Sequence, residues 1–258
     1  MLTFDRYLRA GTLQEAYEAA QKKNSVILGG GLWLRLGRRR IGTLIDLSDL
    51  GLCGVEDAGE YYRIGAYTTL RELEVNEPLN RSYGNVLRDA LHAIVGVQFR
   101  NLATIGGSVF GRFGFSDVIT VLLALDASVV LYHAGEIPLA EFCTMGRVND
   151  ILTHVMIPKR ACTVSYHAHR NSATDFPILN VCAARFGEEL VLSVGARPGR
   201  ACARRFSLGE KTAEEIAAEL ARTLTFDSNT RASAQYRRHL CDVLVRRAIA
   251  DAMKKEEA

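Results

Sequence analysis

The chain has 258 residues, of which 48% are hydrophobic and 24% charged, and its formal net charge is +3. This length is enough to bury one to three compact cores, and the interspersed charges exclude the concentrated basic face of a nucleic-acid-binding protein. No apolar run reaches the roughly 18 residues that span a bilayer, and the start Met1–Asp5 lacks signal-peptide architecture, so we expect a cytoplasmic protein.

The first part of the chain predicts an alternation of short strands and helices. Leu13, Ala16, Tyr17 and Ala20 recur on one helical face, and Pro158 stops the last strand. The predicted elements are a helix at Leu13–Gln21, strands at Ser25–Leu28, Thr43–Leu47 and Tyr62–Ala66, a short helix capped by Thr68 or Thr69, helices at Leu87–Val95 and Asp117–Leu125, and strands at Ser128–Tyr132 and Ile151–Ile157.

After Pro158 the pattern changes to strands followed by helices. Val181–Phe186 and Leu190–Val194 flank the turn Gly187–Glu189 and predict a β-hairpin. Thr212-Ala213-Glu214-Glu215 is a capping pattern that opens a helix to Leu224, and Gln235–Lys255 predicts a long terminal helix. A mixed α/β unit is therefore expected before Pro158 and a smaller α+β unit after it.

Two glycine segments are the candidate ligand-binding features. Gly29-Gly30-Gly31 directly follows a predicted strand, and Gly106-Gly107 follows a predicted loop at Arg100–Thr104. Exposed N–H groups at such turns can form an anion-binding concavity, to which Thr104 and Ser108 would add hydroxyl donors. Alternatively, both segments are ordinary tight turns. Neither is the dinucleotide fingerprint G-x-G-x-x-G.

The cysteines and the run Arg38-Arg39-Arg40 carry less specific signals. The six cysteines include no C-x-x-C pair, which favours reduced buried thiols over zinc or iron–sulfur ligands, so an iron–sulfur centre is expected only in another chain. The arginine run is either a solvated loop or a contact for phosphates or for a partner's acidic surface.

Several segments together resemble the FAD-binding subunits of molybdenum hydroxylases, which include the flavin subunits of xanthine, nicotinate and carbon monoxide dehydrogenases. Gln98–Ser108 closely resembles the family's Q-x-R-N-x-A-T-I-G-G-N, and Ile27–Leu34 is similar to its first FAD loop, A-G-G-T-D-L, with Gly31 and Leu32 in place of the polar pair. Further similarity lies at Asp117, Leu122–Ala127, Asp175–Ile178 and Ala234–Leu240.

The resemblance implies an α+β fold with a PCMH-type FAD-binding domain at residues 1–158. Its two α/β subdomains, about 1–54 and 55–158, would hold FAD between them, and a small C-terminal domain of antiparallel strands and helices, like that of CO dehydrogenase flavoproteins, would occupy 159–258. It further implies a hetero-oligomer, in which a partner subunit with the molybdenum cofactor oxidises substrate and a partner with iron–sulfur clusters passes electrons to FAD. NAD⁺ or another acceptor would then be reduced.

By the same resemblance, the backbone of Leu28–Leu34 and Thr104–Ser108 should hold the pyrophosphate and ribityl chain. Asp117 should bind ribityl or ribose hydroxyls, or else cap a helix, and Ile94 and Leu152 should lie beside the flavin, or else pack in the core. The implied cofactor-binding residues are Ile27, Leu28, Gly29, Gly30, Gly31, Leu32, Trp33, Leu34, Ile94, Thr104, Ile105, Gly106, Gly107, Ser108, Asp117, Leu152 and His167. No catalytic residue and no metal ligand is implied.

Two side chains have an open role. His167 matches a position where relatives often carry Lys near the flavin, where a protonated imidazole would stabilise negative charge on the reduced ring; otherwise it is a surface histidine. Arg112, in a bulky stretch with Phe110, Phe113 and Phe115, pairs with a phosphate or lies in solvent.

Two other functions compete with the electron-transfer subunit. A stand-alone flavin oxidoreductase of the wider fold group often attaches its flavin through His or Cys, and neither residue occurs in the two FAD loops. A scaffold subunit that has lost FAD stays open as a minor alternative because the first loop is altered, and a fold can outlive its site.

Overall fold

The structure is a computed structural model that describes residues 2–254; Met1 and residues 255–258, including the predicted helix end at Lys255, lie outside it. The fold is α+β, with three sheets that follow one another along the chain. Within residues 2–254 no helix has the length and apolar character needed to cross a membrane.

The first sheet is parallel, with three strands in the order β1-β3-β2. Its elements are β1 (Thr3–Arg9), α1 (Leu13–Ala20), β2 (Ser25–Leu28), α2 (Leu32–Leu36) and β3 (Arg40–Asp46). Helix α1 begins after Thr12, whose side chain accepts a hydrogen bond from Glu15 N, and Ala16 packs with Ile45 in a small core. Because β2 ends at Leu28, the sheet presents the first glycine segment at the carboxyl edge of its strands.

The second sheet is antiparallel, with five strands in the order β4-β5-β8-β6-β7. Its strands are β4 (Val55–Asp57), β5 (Tyr61–Gly65), β6 (Ser128–Leu131), β7 (Gly135–Pro138) and β8 (Leu152–Pro158). The helices between them are α3 (Leu70–Val75), α4 (Glu77–Ser82), α5 (Val86–His92), α6 (Val97–Arg100), α7 (Ile105–Phe110), α8 (Asp117–Ala124) and α9 (Leu139–Thr144).

The third sheet is antiparallel, in the order β12-β11-β10-β9, with two helices on one face. It comprises β9 (Thr163–His169), β10 (Leu179–Phe186), β11 (Glu189–Gly195), β12 (Cys202–Ser207), α10 (Ala213–Thr223) and α11 (Ala234–Ala252). Both faces of β10 are covered: Val181 packs towards α10 and α11, and Cys182 packs into the core that contains α8.

Helix α8 joins the second and third sheets. All eight of its residues are buried, which explains why its sequence is apolar on every side. One core therefore runs from Val155 on β8 through Val121 on α8 to Val191 on β11. The division of the chain at residue 158 stays a prediction.

Most of the predicted elements are confirmed, and the differences lie at their ends. The helix predicted at Leu87–Val95 ends at His92, and the terminal helix begins at Ala234. Thr69 rather than Thr68 caps α3, in a capping box with Glu72. Among the cysteines, Cys53 is exposed, against the expectation of buried thiols.

Candidate functional site

A cavity of about 540 Å³ lies where the first sheet, the segment around α7 and the β9–β10 loop meet. Its lining is mainly apolar with a few polar groups, as is usual for cofactor sites. Of the residues implied by the sequence, it is lined by Ile27, Gly29, Gly31, Leu32, Trp33, Leu34, Ile94, Thr104, Gly106, Gly107, Ser108, Asp117 and Leu152. Ile94 and Leu152 also pack on the main core, so both of their predicted roles are compatible with the structure.

Four of the implied residues are not in this lining. Leu28 lies behind it, with its carbonyl oxygen bonded by the Tyr67 hydroxyl. Gly30 packs under the carbonyl oxygen of Leu102, and Ile105 is buried in the core. His167, the fourth, faces another part of the molecule.

The first glycine segment presents a run of unpaired amides. Gly30 and Gly31 have φ of 80° and 73°, a conformation that glycine adopts without the steric cost of a Cβ atom. Helix α2 starts immediately afterwards with no side-chain cap. No acceptor within residues 2–254 bonds the six successive N–H groups of Gly29–Leu34. A concavity of this kind suits an anion such as a diphosphate.

The second glycine segment is not a turn, as the sequence suggested, but the first turn of α7. Its amides are already paired: Ile105 N–H donates to Thr68 O, Gly106 to Ala66 O, Gly107 to Thr104 Oγ1 and Ser108 to Thr104 O. The Ser108 hydroxyl donates to Thr104 O as well. The N–H groups of this segment and the Ser108 hydroxyl thus already have acceptors, whereas the Thr104 hydroxyl accepts from Gly107 N–H and keeps its own proton to donate to a ligand.

Glycine is required at Gly107 for another reason. A Cβ atom there would lie 2.7 Å from the carbonyl oxygen of Gly29, and one at Gly106 would lie 2.7 Å from that of Ala66. Missing side chains thus let α7 lie close to Gly29, which follows β2 of the first sheet, and to Ala66, which follows β5 of the second sheet. The segment shapes the wall of the cavity and supports the amide run opposite it.

Asp117 is a buried carboxylate at the cavity. Ser116, not Asp117, caps α8. Oδ1 of Asp117 accepts hydrogen bonds from Arg170 at 2.7 Å, from Asn180 at 3.1 Å and from the Tyr166 hydroxyl. Burial raises the pKa of Asp117, and the Arg170 charge opposes that rise. No donor in the described part of the chain bonds Oδ2, which leaves that oxygen able to accept from a ligand hydroxyl.

Arg170, rather than His167, is the cation at the cavity. His167 on β9 points away from it, with Nε2 2.9 Å from Asp251 Oδ2 on α11. The preceding residue, Tyr166, contacts Asp117. Neighbouring side chains on a strand point to opposite faces, so His167 faces away from Asp117. Arg170 lies beyond the end of the strand and lines the cavity. The expectation that His167 lies near the flavin is therefore corrected.

Four aromatic rings from three segments meet at the cavity. Trp33 lies 5.2 Å from Phe113, 5.9 Å from Phe115 and 5.8 Å from Phe176, between ring centroids. Phe115 and Phe176 are 4.5 Å apart, and the Arg231 guanidinium lies 5.0 Å from the Phe176 ring. We call these four rings the aromatic shelf. The sequence showed only that the second loop is bulky.

Two further residues hold the walls of the cavity. Tyr67, which sequence reasoning missed, accepts a hydrogen bond from Leu47 N at 3.0 Å and donates to Leu28 O. Arg112 donates to Met145 O at 2.8 Å and Gly146 O at 2.9 Å, after the end of α9. Arg112 therefore neither lies in solvent nor faces a phosphate site.

The basic run Arg38-Arg39-Arg40 is exposed. Arg40 pairs with Asp5 at 2.5 Å, on the surface of the first sheet. Arg39 makes a long contact of 3.4 Å to Asn24. Most of the run is thus a solvated surface.

Comparisons with known proteins agree over nearly the whole chain. The family described as the FAD binding domain in molybdopterin dehydrogenase matches residues 2–160, and the CO dehydrogenase flavoprotein C-terminal domain matches residues 205–252. The nicotine 6-hydroxylase medium subunit of Paenarthrobacter nicotinovorans is 25% identical, over 96% of each chain. The xanthine dehydrogenase FAD-binding subunit of Escherichia coli O157:H7 is 25% identical, over 98% of this chain and 97% of that one.

Solved structures share the fold. A chain of the reconstituted CO dehydrogenase from Oligotropha carboxidovorans superposes with a TM-score of 0.86 at 20% identity, covering 97% of both chains.

Proposed function

Since the chain belongs to the family of FAD binding domains in molybdopterin dehydrogenases, we propose that it is the electron-transfer subunit of a molybdenum hydroxylase complex, similar to xanthine dehydrogenase. In this role it binds FAD and receives electrons from the iron–sulfur clusters of one partner subunit. Another partner carries the molybdenum cofactor that oxidises the substrate. Relatives named as medium or FAD-binding subunits support this assignment. We place the complex in the cytoplasm.

The observation that carries the proposal is the amide run Gly29–Leu34 at the edge of the cavity. Its N–H groups would bind the diphosphate of FAD, and Oδ2 of Asp117 would accept from a sugar hydroxyl. The apolar wall at Ile94 and Leu152 would exclude water from the flavin ring. Arg170 would add positive charge to the site. Bound FAD supplies the two-electron chemistry, and these residues bind and orient it.

The acceptor that we propose for the electrons is NAD⁺. Arg35 stands between Leu34 and Leu36, two residues that line the cavity, and it has no carboxylate partner within the described chain. A guanidinium at this rim suits the diphosphate of an incoming dinucleotide. Mixing the anaerobically reduced complex with NAD⁺ should produce NADH, and Arg35→Gln should raise the KM for NAD⁺ more than Arg222→Gln, an exposed arginine on α10. Reduction of a quinone or dye but not of NAD⁺ would assign another acceptor.

Purification of the chain alone and together with its neighbours tests the whole proposal. We expect a flavin spectrum from the chain alone, release of FAD on denaturation, and turnover only when the partner subunits are added. Turnover by the isolated chain would instead indicate a stand-alone oxidoreductase. A colourless but active complex would indicate a scaffold subunit.

A matched pair of glycine variants tests the amide run. Gly31→Ala and Gly59→Ala both place an L side chain at positive φ, 73° and 79°, so both incur a similar backbone strain of about 1–2 kcal/mol. Gly59 lies in the β4–β5 turn with no atom near its added Cβ, and the Cβ at Gly31 would lie 3.0 Å from Leu28 Cδ1, the end of a flexible side chain that can move aside. We expect only Gly31→Ala to weaken FAD binding, by about tenfold, which corresponds to about 1.4 kcal/mol. Equal affinities of the two variants would contradict a diphosphate site at Gly29–Leu34.

A further inference from the structure

Strand β1 (Thr3–Arg9) forms one edge of the first sheet, and six of its seven residues are exposed. Its large apolar side chains Phe4 and Tyr7 are 41% and 48% exposed. Helix α1 packs mainly on β2 and β3 and leaves β1 largely uncovered. Strands of parallel sheets are usually covered on both faces, and natural proteins protect or pair a long exposed edge. The surface of β1 is therefore a candidate for contact with another chain.

The outer edge of β1 has backbone groups that the sheet does not use. Ala10 N–H donates to Asp46 O of β3 at 3.0 Å, and the register between β1 and β3 keeps one constant offset. Even-numbered residues of β1 therefore bond β3, whereas the N–H and C=O groups of Asp5, Tyr7 and Arg9 point outwards. Within residues 2–254, no strand lies on that side. The side chains of these three residues also share one face of the sheet.

Two copies of β1 match each other in one antiparallel register. With a twofold axis at Tyr7, Asp5 lies opposite Arg9 of the second copy, and the outward backbone groups of all three residues meet in hydrogen-bonded pairs. Unlike charges directly opposite each other stabilise such a pairing. Registers centred on Asp5 or Arg9 place like charges opposite each other. Those centred on Arg6 or Leu8 leave Asp5 and Arg9 without a charged partner across the strands.

The ion pairs already present on β1 extend this charge pattern. Asp5 pairs with Arg40 at 2.5 Å and Arg9 pairs with Asp49, and the side chains of Asp5 and Arg9 are 51% and 58% exposed. In the register centred on Tyr7, charges of alternating sign run from Arg40 and Asp5 of one copy to Arg9 and Asp49 of the other. Exposed ion pairs add little free energy individually. The charges therefore select the register, and the backbone hydrogen bonds supply the affinity.

We propose that β1 is a self-association surface, at which two copies of the chain pair antiparallel about Tyr7 and join their first sheets into one. The strand order of the joined sheet is β2-β3-β1-β1-β3-β2. Because the two halves run in opposite directions, the carboxyl edges of their strands, and with them the two cavities, lie at opposite ends. Both cavities thus stay open to other subunits. The inference goes beyond the proposed function, since it does not require FAD.

Sedimentation of the purified full chain over a range of concentrations tests self-association. We expect a monomer and a dimer in equilibrium, with a dissociation constant on the order of 10 μM, because one short strand pair buries less area than a permanent dimer interface. Addition of FAD should leave this constant unchanged. A chain that stays monomeric at about tenfold higher concentration would overturn the proposal.

Charge reversal tests the register. Asp5→Arg places two pairs of arginines opposite each other across the axis, and Arg9→Asp places two pairs of aspartates there. We expect each variant alone to dimerise at least about tenfold more weakly. An equal mixture of the two should form a heterodimer, because every charge then meets its opposite. Glu56→Arg reverses a charge in a comparable exposed pair with Arg63 on β4 and β5 and should dimerise normally.

A proline substitution tests the backbone pairing. Tyr7→Pro removes an outward N–H that β3 does not use, and proline is tolerated on an edge strand at such a position. The side chain also loses an exposed hydroxyl contact to Asp46. We expect a monomer whose thermal unfolding and FAD affinity remain close to those of the parent protein. A Tyr7→Pro dimer of unchanged affinity would show that another surface associates, and a mixture of Asp5→Arg with Arg9→Asp that stays monomeric would refute the register.

Discussion

Gly29 and Gly107 are in backbone contact. Gly29 follows β2 of the first sheet, whereas Gly107 lies in α7, between β5 and β6 of the second sheet. A Cβ atom on Gly29 would lie 3.2 Å from the Gly107 Cα atom, and one on Gly107 would lie 2.7 Å from the Gly29 carbonyl oxygen. The contact closes the wall of the cavity beneath the amide run. The two glycine segments therefore have different roles. Gly29–Gly31 presents free amides to the cavity, and Gly106-Gly107 packs against that segment and supports it.

Gly107→Ala should destabilise this contact. Alanine is favoured over glycine within a helix by about 1 kcal/mol, but overpacking against a backbone oxygen costs about 1–3 kcal/mol, and no side-chain rotation can relieve it. We expect a lower free energy of unfolding in urea and weaker FAD binding. Gly146→Ala, which has open space around its Cβ, should leave both quantities unchanged. A more stable Gly107→Ala with normal FAD affinity would disprove the steric argument.

Tyr67→Phe should loosen the first loop. Its hydroxyl joins Leu28 O to Leu47 N, and its removal leaves both backbone groups without this partner, at a cost of about 1–3 kcal/mol. Burial raises the pKa of Tyr67, so the phenol stays protonated and the effect should not vary around neutral pH. FAD should dissociate faster from this variant. Tyr62→Phe, which loses one hydroxyl contact to Ser82, is the control and should keep the normal dissociation rate.

Glu74 should make the protein sensitive to acid. Burial alone would raise the pKa of Glu74, but hydrogen bonds from Arg100, Arg71 and His92 outweigh it and lower the pKa from 4.5 to about 2. Because the unfolded chain then binds the proton more readily, this stabilisation is complete above about pH 4.5 and is lost as the pH falls through about 2. The difference corresponds to roughly 3 kcal/mol.

Urea unfolding between pH 7 and pH 3 measures this effect. Glu74→Gln should be less stable than the unsubstituted chain at pH 7 and should lose less stability on acidification. It should also disturb the cavity, because Arg100 donates to the carbonyl oxygen of Ile94 at 2.9 Å. Glu56→Gln, which removes an exposed pair with Arg63, should follow the parent curve. Parallel curves for all three proteins would argue against a lowered pKa at Glu74.

Arg170→Ala should leave Asp117 as a buried charge without its cation. Both side chains are largely buried, 9% and 7% exposed, and the loss of one partner of such a pair costs about 3–5 kcal/mol. The double variant Asp117→Asn with Arg170→Gln contains no unpaired charge and should recover part of the stability. It should still bind FAD weakly, because the one oxygen of the new amide side chain would take the bonds from Tyr166 and Asn180, and an amide nitrogen would replace the free oxygen Oδ2. Equal stabilities of the single and double variants would contradict a buried ion pair.

His167→Ala should leave the flavin untouched. The imidazole contacts Asp251 on the far face of β9, and both side chains are partly exposed, so the loss in stability should be at most about 1 kcal/mol. The visible spectrum, the FAD affinity and the reduction potential of the bound flavin should match those of the parent protein. A shifted potential in this variant, with an unchanged one in Arg170→Lys, would restore His167 as the cation of the site.

Local sequence determined much of the fold. The capping boxes Thr69–Glu72 and Thr212–Glu215 started helices where they were predicted, and strand β2 ran into the first glycine segment. Each of these signals acts between residues at most four positions apart, so the chain encodes them without reference to any other segment. The resemblance of Gln98–Ser108 to one family likewise needed only the residues themselves.

Only the tertiary structure decided what faces the cavity. Four features of the cavity depend on segments that are far apart in the chain. The α7 amides bond Ala66 and Thr68, Gly107 contacts Gly29, His167 points away from the cavity, and Trp33 meets Phe176. A shift of one residue in a strand exchanges its two faces, and an amide binds a ligand only if no neighbouring carbonyl reaches it first. Packing decides whether an amide stays free for a ligand, because packing sets which carbonyl groups from distant segments come within hydrogen-bonding distance of it.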